Sequence, residues 1–180
     1  TALDSARLSR RLAGLLGAAP QSVSAYMLGE HGDSQVPAFH AASVAGQPLA
    51  QWMAEHPGRC AAEDLARIAR ETTEAGWEIV LGKGSTEFGV ASAAAALIRA
   101  VLLDEKRVLP CSVPLDGQYG QRDVYASTLC LIGAGGAEEI WQLPLSDHEA
   151  QALAESCRII REYGVKAAAL STLANEKIHG

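Results

Sequence analysis

Apolar positions recur at helical spacing near the start of the chain: Leu8, Leu12, Leu15 and Leu16 share one stripe, which predicts an amphipathic helix over residues 3–16. Gly17 and then Pro20 end it. The apolar run 23–28 predicts a strand. Residues 36–49, broken at Gly46-Gln47-Pro48, predict a hairpin or a strand with a turn. Residues 52–62 predict a loop with a helical turn. Over 63–81 the spacing of Leu65, Ile68, Thr72, Ala75 and Ile79 predicts a long helix, broken by Gly82-Lys83-Gly84. Residues 86–103 predict a second helix, alanine-rich on every face. A helix apolar all round is expected to lie buried between other elements. Runs 108–115 and 124–132 predict strands joined across a polar turn at 117–122. A turn at 133–136 and a short strand at 140–145 follow. Ser146-x-x-Glu149 is a capping box that opens a final long helix. Strands come in groups rather than alternating with helices, so the fold class predicted is α+β with antiparallel sheet.

Composition narrows the function. A chain of 180 residues, 48% hydrophobic, can bury the core of one domain. A net charge of −6 argues against a nucleic-acid face, which would be basic. It does not argue against a small anionic ligand, since one arginine can bind a carboxylate whatever the net charge. No apolar run reaches the roughly 18 residues of a membrane helix, and no secretory signal opens the chain. Cys60, Cys111, Cys130 and Cys157 are scattered with no C-x-x-C pair. We therefore expect reduced, mostly buried thiols in a cytoplasmic protein, with neither a zinc site nor a disulfide framework. The chain runs at once from Thr1 into a helix bearing functional charges, which suggests a piece of a longer protein.

The chemistry concentrates in Gly29-Glu30-His31-Gly32-Asp33-Ser34. Small neighbours leave His31 room to face a cleft, and imidazole changes charge near neutral pH. An imidazole that carries protons needs a partner to fix its tautomer. Asp4 offers that carboxylate; Asp33 is a rival that more simply caps its own turn. Arg7, three residues after Asp4 on the first helix, reads either as a paired surface residue or as a two-pronged clamp on a substrate carboxylate. Arg10 and Arg11 read as solvated face. Thr86, at the start of the alanine helix, is an ordinary cap shared with Ser85 or a hydroxyl set beside a ligand. Residues 133–138 begin like G-x-G-x-x-G, but Glu138 stands where the third glycine should be. Gly82-Lys83-Gly84 lacks the hydroxyl residue that follows the lysine of a P-loop. No phosphate site for a cofactor is therefore expected within the chain. His40, His56, His148 and His179 lack metal-ligand spacing, and His40 reads as structural. The G-x-S-x-G elbow of a hydrolase is missing.

Leu3-Asp4-Ser5-Ala6-Arg7, the run from Ala25 through Gly29-Glu30-His31-Gly32-Asp33-Ser34 to Pro37, and Gly82-Lys83-Gly84-Ser85-Thr86 together resemble the C-terminal half of the L-lactate and malate dehydrogenase family. The resemblance covers residues 1–165, and Gly-Glu-His-Gly-Asp-Ser is more like the lactate branch. It implies an NAD-dependent L-2-hydroxyacid dehydrogenase with His31 as general acid/base and Asp4 hydrogen-bonded to it. It also implies Arg7 bidentate on the substrate carboxylate, Thr86 against substrate and nicotinamide, and Val90 beside the nicotinamide ring. The implied partners are a small 2-hydroxy or 2-oxo acid and further copies of the chain, as a homotetramer or dimer. The implied setting is glycolysis and carboxylic acid metabolism. The NAD-binding half, with its glycine fingerprint and mobile loop, should precede Thr1. Ser9 and Ser24 stand where lactate dehydrogenases activated by fructose 1,6-bisphosphate carry arginine and histidine, so such activation is expected to be weak or missing. The tail 166–180 departs from the family ending. A malate dehydrogenase of lactate dehydrogenase type and a non-catalytic assembly domain are the alternatives.

Overall fold

The computed structural model describes the backbone of residues 1–179, and the side chains of residues 1–168 and 170. Helix α1 (Ala2–Leu16) puts Leu8, Leu12 and Leu16 into the core, and its C-cap Gly17 adopts the left-handed φ of 69° that stops the helix. A 3-10 turn (Pro20–Ser22) then leads to β1 (Val23–Ser24) and β2 (Met27–Leu28). The single strand expected over 23–28 is thus two short pieces. The serines of α1 explain the break: Ser9 Oγ accepts from Ala25 N–H at 3.2 Å, and Ser5 Oγ from Met27 N–H at 2.9 Å. With its N–H spent on a side chain, Ala25 leaves the ladder, while Met27 stays in β2 with its N–H on Ser5.

β3 (Val36–Pro37) pairs with β2. β4 (Ser43–Val44) and β5 (Gln47–Pro48) form a two-residue hairpin, with positive φ at both Ala45 and Gly46. α2 (Leu49–Glu55) supplies the helical turn expected within 52–62 and begins three residues earlier; it is anchored by buried Leu49 and Trp52 on one face. α3 (Ala62–Lys83) buries Ile68, Thr72 and Ala75 as expected, but Ile79, nearer its C-terminal end, stays exposed.

α4 (Glu87–Leu102) departs most from expectation. It was expected to be buried, yet among the described residues only Ala100 is fully covered. One edge touches the body, where Gly89 faces the Leu3 side chain and Leu97 and Val101 lean on the core. The rest faces outward.

β6 (Arg107–Asp116), β7 (Arg122–Gly133) and β8 (Gly136–Trp141) form an antiparallel sheet in sequence order. The strand expected at 140–145 lies earlier, because the 133–136 turn is the tight hairpin and the chain leaves the sheet after Trp141. Leu143 N–H goes to Tyr119 Oη at 2.8 Å rather than to a strand, and Pro144 has no N–H to give. β7 is central and almost continuously buried, as a strand covered on both faces must be. The capping box forms: Ser146 N–H donates to Glu149 Oε2 at 2.9 Å, and Glu149 N–H to Ser146 Oγ at 3.3 Å. It opens α5 (Asp147–His179), whose Leu153 and Cys157 seal the core beneath β7. The fold class is α+β with antiparallel sheets. No described helix is long and apolar enough to cross a membrane.

The four cysteines are free, and all but Cys111 are buried. Burial pushes the Cys130 thiol up to about 11, and pushes those of Cys60 and Cys157 up as well. Below the ordinary thiol value, folded and unfolded chains both hold the proton, so stability is intact. Above it only the unfolded chain ionises, and stability is lost until the folded thiol ionises near 11. Replacing Cys130 by Val removes that titration. Thermal melts at pH 8 to 11 should show wild type losing on the order of 2 kcal/mol more than Cys130→Val. Parallel curves would refute the assignment.

Candidate functional site

Asp4 and Arg7 sit one turn apart on α1, so helix geometry alone makes them neighbours. Arg7 Nη1 donates to Asp4 Oδ1 at 2.9 Å. Asp4 is only 2% exposed, and a carboxylate buried that deeply needs a cation beside it. Its other oxygen, Oδ2, lies 2.9 Å from His31 Nδ1. The ring N–H is not aimed squarely enough at Oδ2 to make a full hydrogen bond. The His31 side chain is 73% exposed. The carboxylate therefore bridges guanidinium and imidazole with separate oxygens. Arg7 commits one nitrogen to Asp4, which leaves the rest of its fork for another anion.

The three side chains share one hollow of about 250 Å³, walled also by Gly32, Asp33, Gln35, Thr73, Gly76, Trp77, Val80 and Thr86. Asp4, Arg7, His31 and Thr86, proposed from sequence, thus come together. Thr86 is the N-cap of α4; its hydroxyl makes no capping bond, and the residue lines the hollow. Val90, one turn on, is 53% exposed and does not line the hollow. Asp33 neither pairs with His31 nor caps its turn. That work falls to Glu30, whose Oε2 takes the Ser34 N–H at 3.3 Å and also the Ser34 hydroxyl. A glutamate four residues back reaches across where the shorter aspartate does not.

The hollow also has a wall on α3 that the core stripe alone does not mark. Thr73, Gly76, Trp77 and Val80 follow the i, i+3, i+4, i+7 rule, as does the core stripe beside them. A second stripe holding a tryptophan and a glycine was the available signal. Arg11 is not simply solvated, for it pairs with Glu71 of α3 at 2.7 Å and fixes that wall against α1. The His40 ring is exposed; only its backbone N–H is used, donating to Glu149 Oε1 at 3.0 Å. His56 stacks on Trp52, the ring centroids 4.2 Å apart. The side chain of His179 lies outside the described residues. Ser9, one of the two positions read against effector binding, spends its hydroxyl on the backbone of Ala25, donating to its carbonyl at 3.0 Å and accepting from its N–H.

Residues 1–169 match the family described as lactate/malate dehydrogenase, alpha/beta C-terminal domain. The chain belongs to the lactate/malate dehydrogenase family, as its C-terminal domain. Within the family it falls on the lactate branch. The L-lactate dehydrogenase of Fusobacterium nucleatum is 38% identical over 163 residues, covering 91% of this chain and 51% of that protein. Among solved structures, the lactate dehydrogenase of Eimeria maxima with NADH and oxamate superposes with a TM-score of 0.87 at 32% identity, covering 94% of this chain and 53% of that one. The malate dehydrogenase of Cryptosporidium parvum has a TM-score of 0.83 at 33% identity, over 89% and 51% respectively. The chain spans about half the length of the relatives it matches.

Proposed function

We propose that this chain is the catalytic half of an NAD-dependent L-lactate dehydrogenase, interconverting L-lactate and pyruvate. Residues 1–165 form its substrate-binding domain, and 166–180 a divergent tail. The observation that supports this best is the single buried carboxylate bridging an imidazole and a guanidinium, each at 2.9 Å, inside one hollow. An acid–base group and an anion grip held by the same carboxylate suit a small acid that gains or loses a proton next to its carboxylate. In oxidation His31 takes the hydroxyl proton; in reduction, charged His31 gives a proton to the carbonyl oxygen. Asp4 orients the ring and stabilises the imidazolium. Arg7 grips the carboxylate and fixes which carbon faces His31.

The residues present fit the nicotinamide end of the cofactor. The Thr86 hydroxyl is not consumed in capping, and exposed Val90 offers a flat ring an apolar surface one turn along α4. The cofactor, when bound, supplies the hydride acceptor or donor. Its phosphates find no glycine-rich cradle in this chain, so a separate nucleotide-binding half would hold them. A cytoplasmic homotetramer is the assembly this reading implies. The Cryptosporidium parvum likeness keeps malate dehydrogenase as the second reading. The test is loss of NADH absorbance by the full-length protein with pyruvate and, separately, with oxaloacetate. Faster turnover of pyruvate is expected. Faster turnover of oxaloacetate would move the protein to the malate reading, and turnover of neither would overturn both.

A further inference from the structure

The His31 side chain is 73% exposed, so packing of its own ring cannot hold it opposite Asp4. Whatever fixes it must fix the turn that carries it. The turn is clamped at its start, where Gly29 exchanges two backbone hydrogen bonds with Ser127 of β7, at 2.9 and 2.8 Å. The next residue, Glu30, donates its N–H not to a strand but to Ser156 Oγ at 2.8 Å. Ser156 stands on α5, fully buried, one residue before Cys157. Its Oγ is 3.1 Å from Ser34 Oγ, and the Ser34 hydroxyl bonds Glu30 Oε2.

The direction of each bond follows by elimination. An ionised carboxylate can only accept, so Ser34 donates to Glu30. The Ser34 oxygen is then free to accept, and Ser156 donates to it while accepting from Glu30 N–H. The result is a closed ring that starts and ends on Glu30, ties Glu30 to Ser34 at the two ends of the His31 turn, and has one member in α5. The fit is tight, because a Cβ on Gly29 would stand 2.5 Å from Ser156 Oγ, and Gly29 has a φ of 81° besides.

We propose that Ser156 is a positioning residue for the proton carrier: by closing the hydrogen-bonded ring with Glu30 and Ser34, it ties helix α5 to the turn that holds His31 against Asp4. The proposal rests on His31 being that carrier. It differs from a purely structural role because its effect is on the geometry of one exposed ring, through bonds that do not touch substrate.

Two measurements test it. In the 180-residue chain, NMR signals of the His31 ring should be single and sharp in wild type. They should be broadened or doubled in Ser156→Ala and in Ser34→Ala, whose half-buried site is the safer one for folding. In the full-length enzyme each alanine variant should lower kcat about tenfold with KM for pyruvate within twofold. Ser34→Thr, which keeps the hydroxyl, should restore it. The double alanine variant should be no worse than the lower single, since both break one ring. Unchanged His31 signals in both variants would overturn the proposal. So would kcat within twofold of wild type while His31→Asn is inactive. If the signals change but His31→Asn turns over normally, the ring exists and the acid–base reading fails, taking the positioning role with it.

Discussion

Replacing His31 by Asn in the full-length enzyme is expected to lower kcat by about 10²–10⁴-fold, the range ascribed to a lost general acid/base. Asn is the informative substitution. Its amide can still face Asp4 Oδ2, now 2.9 Å from His31 Nδ1, so the buried carboxylate keeps a neighbour and the fold is spared. What Asn lacks is a proton it can give and take at neutral pH. The loss should therefore appear in turnover in both directions, with thermal stability close to wild type because the ring it replaces is mostly in solvent. Steady-state kinetics with pyruvate and with lactate, beside a thermal melt, check this. Turnover within about threefold of wild type would remove His31 from the mechanism.

Replacing Arg7 by Lys is expected to weaken binding of pyruvate and of oxamate by about 10- to 100-fold. That follows from losing one charge-assisted hydrogen bond of about 1.5–3 kcal/mol. Lysine, rather than a neutral residue, isolates the effect. Removing the cation altogether would strand Asp4 as a buried charge, and that cost would fall on folding instead. An ammonium keeps the charge beside Asp4 Oδ1 but presents a point where the guanidinium presents a fork. Calorimetric titration of oxamate into the holoenzyme, together with KM for pyruvate, reads the change directly. Unchanged affinity would show that the free nitrogens of Arg7 grip nothing.

How much of this was legible in the sequence depends on how far apart the partners lie. Asp4 and Arg7 needed only the helical repeat, and α1 formed where the leucine stripe placed it. The His31 turn was legible because glycines on both sides are a local signal. Its closing bonds were not, since Ser156 lies 126 residues from Glu30 and nothing local marks one serine of a long helix. The broken strand at 25–26 has the same cause, for Ser5 and Ser9 act from another element. The alanine helix misled for a different reason. Apolar character on all faces says that a helix suits cover, and does not say that these 180 residues supply it; α4 stays largely open. The α3 wall was present as a second stripe beside the first, and only the hollow shows which stripe faces chemistry.

Asp4 has two oxygens and gives one to each neighbour. On the function proposed above, grip and proton transfer would be yoked through this one side chain: a ligand head that drew Arg7 toward itself would alter the hold on one oxygen, and the other lies beside His31. An uncharged analogue would thus be penalised twice, once for poor capture and again for leaving the imidazole untensioned. Selectivity for acids would arise from crosstalk inside a single side chain rather than from a separate gate.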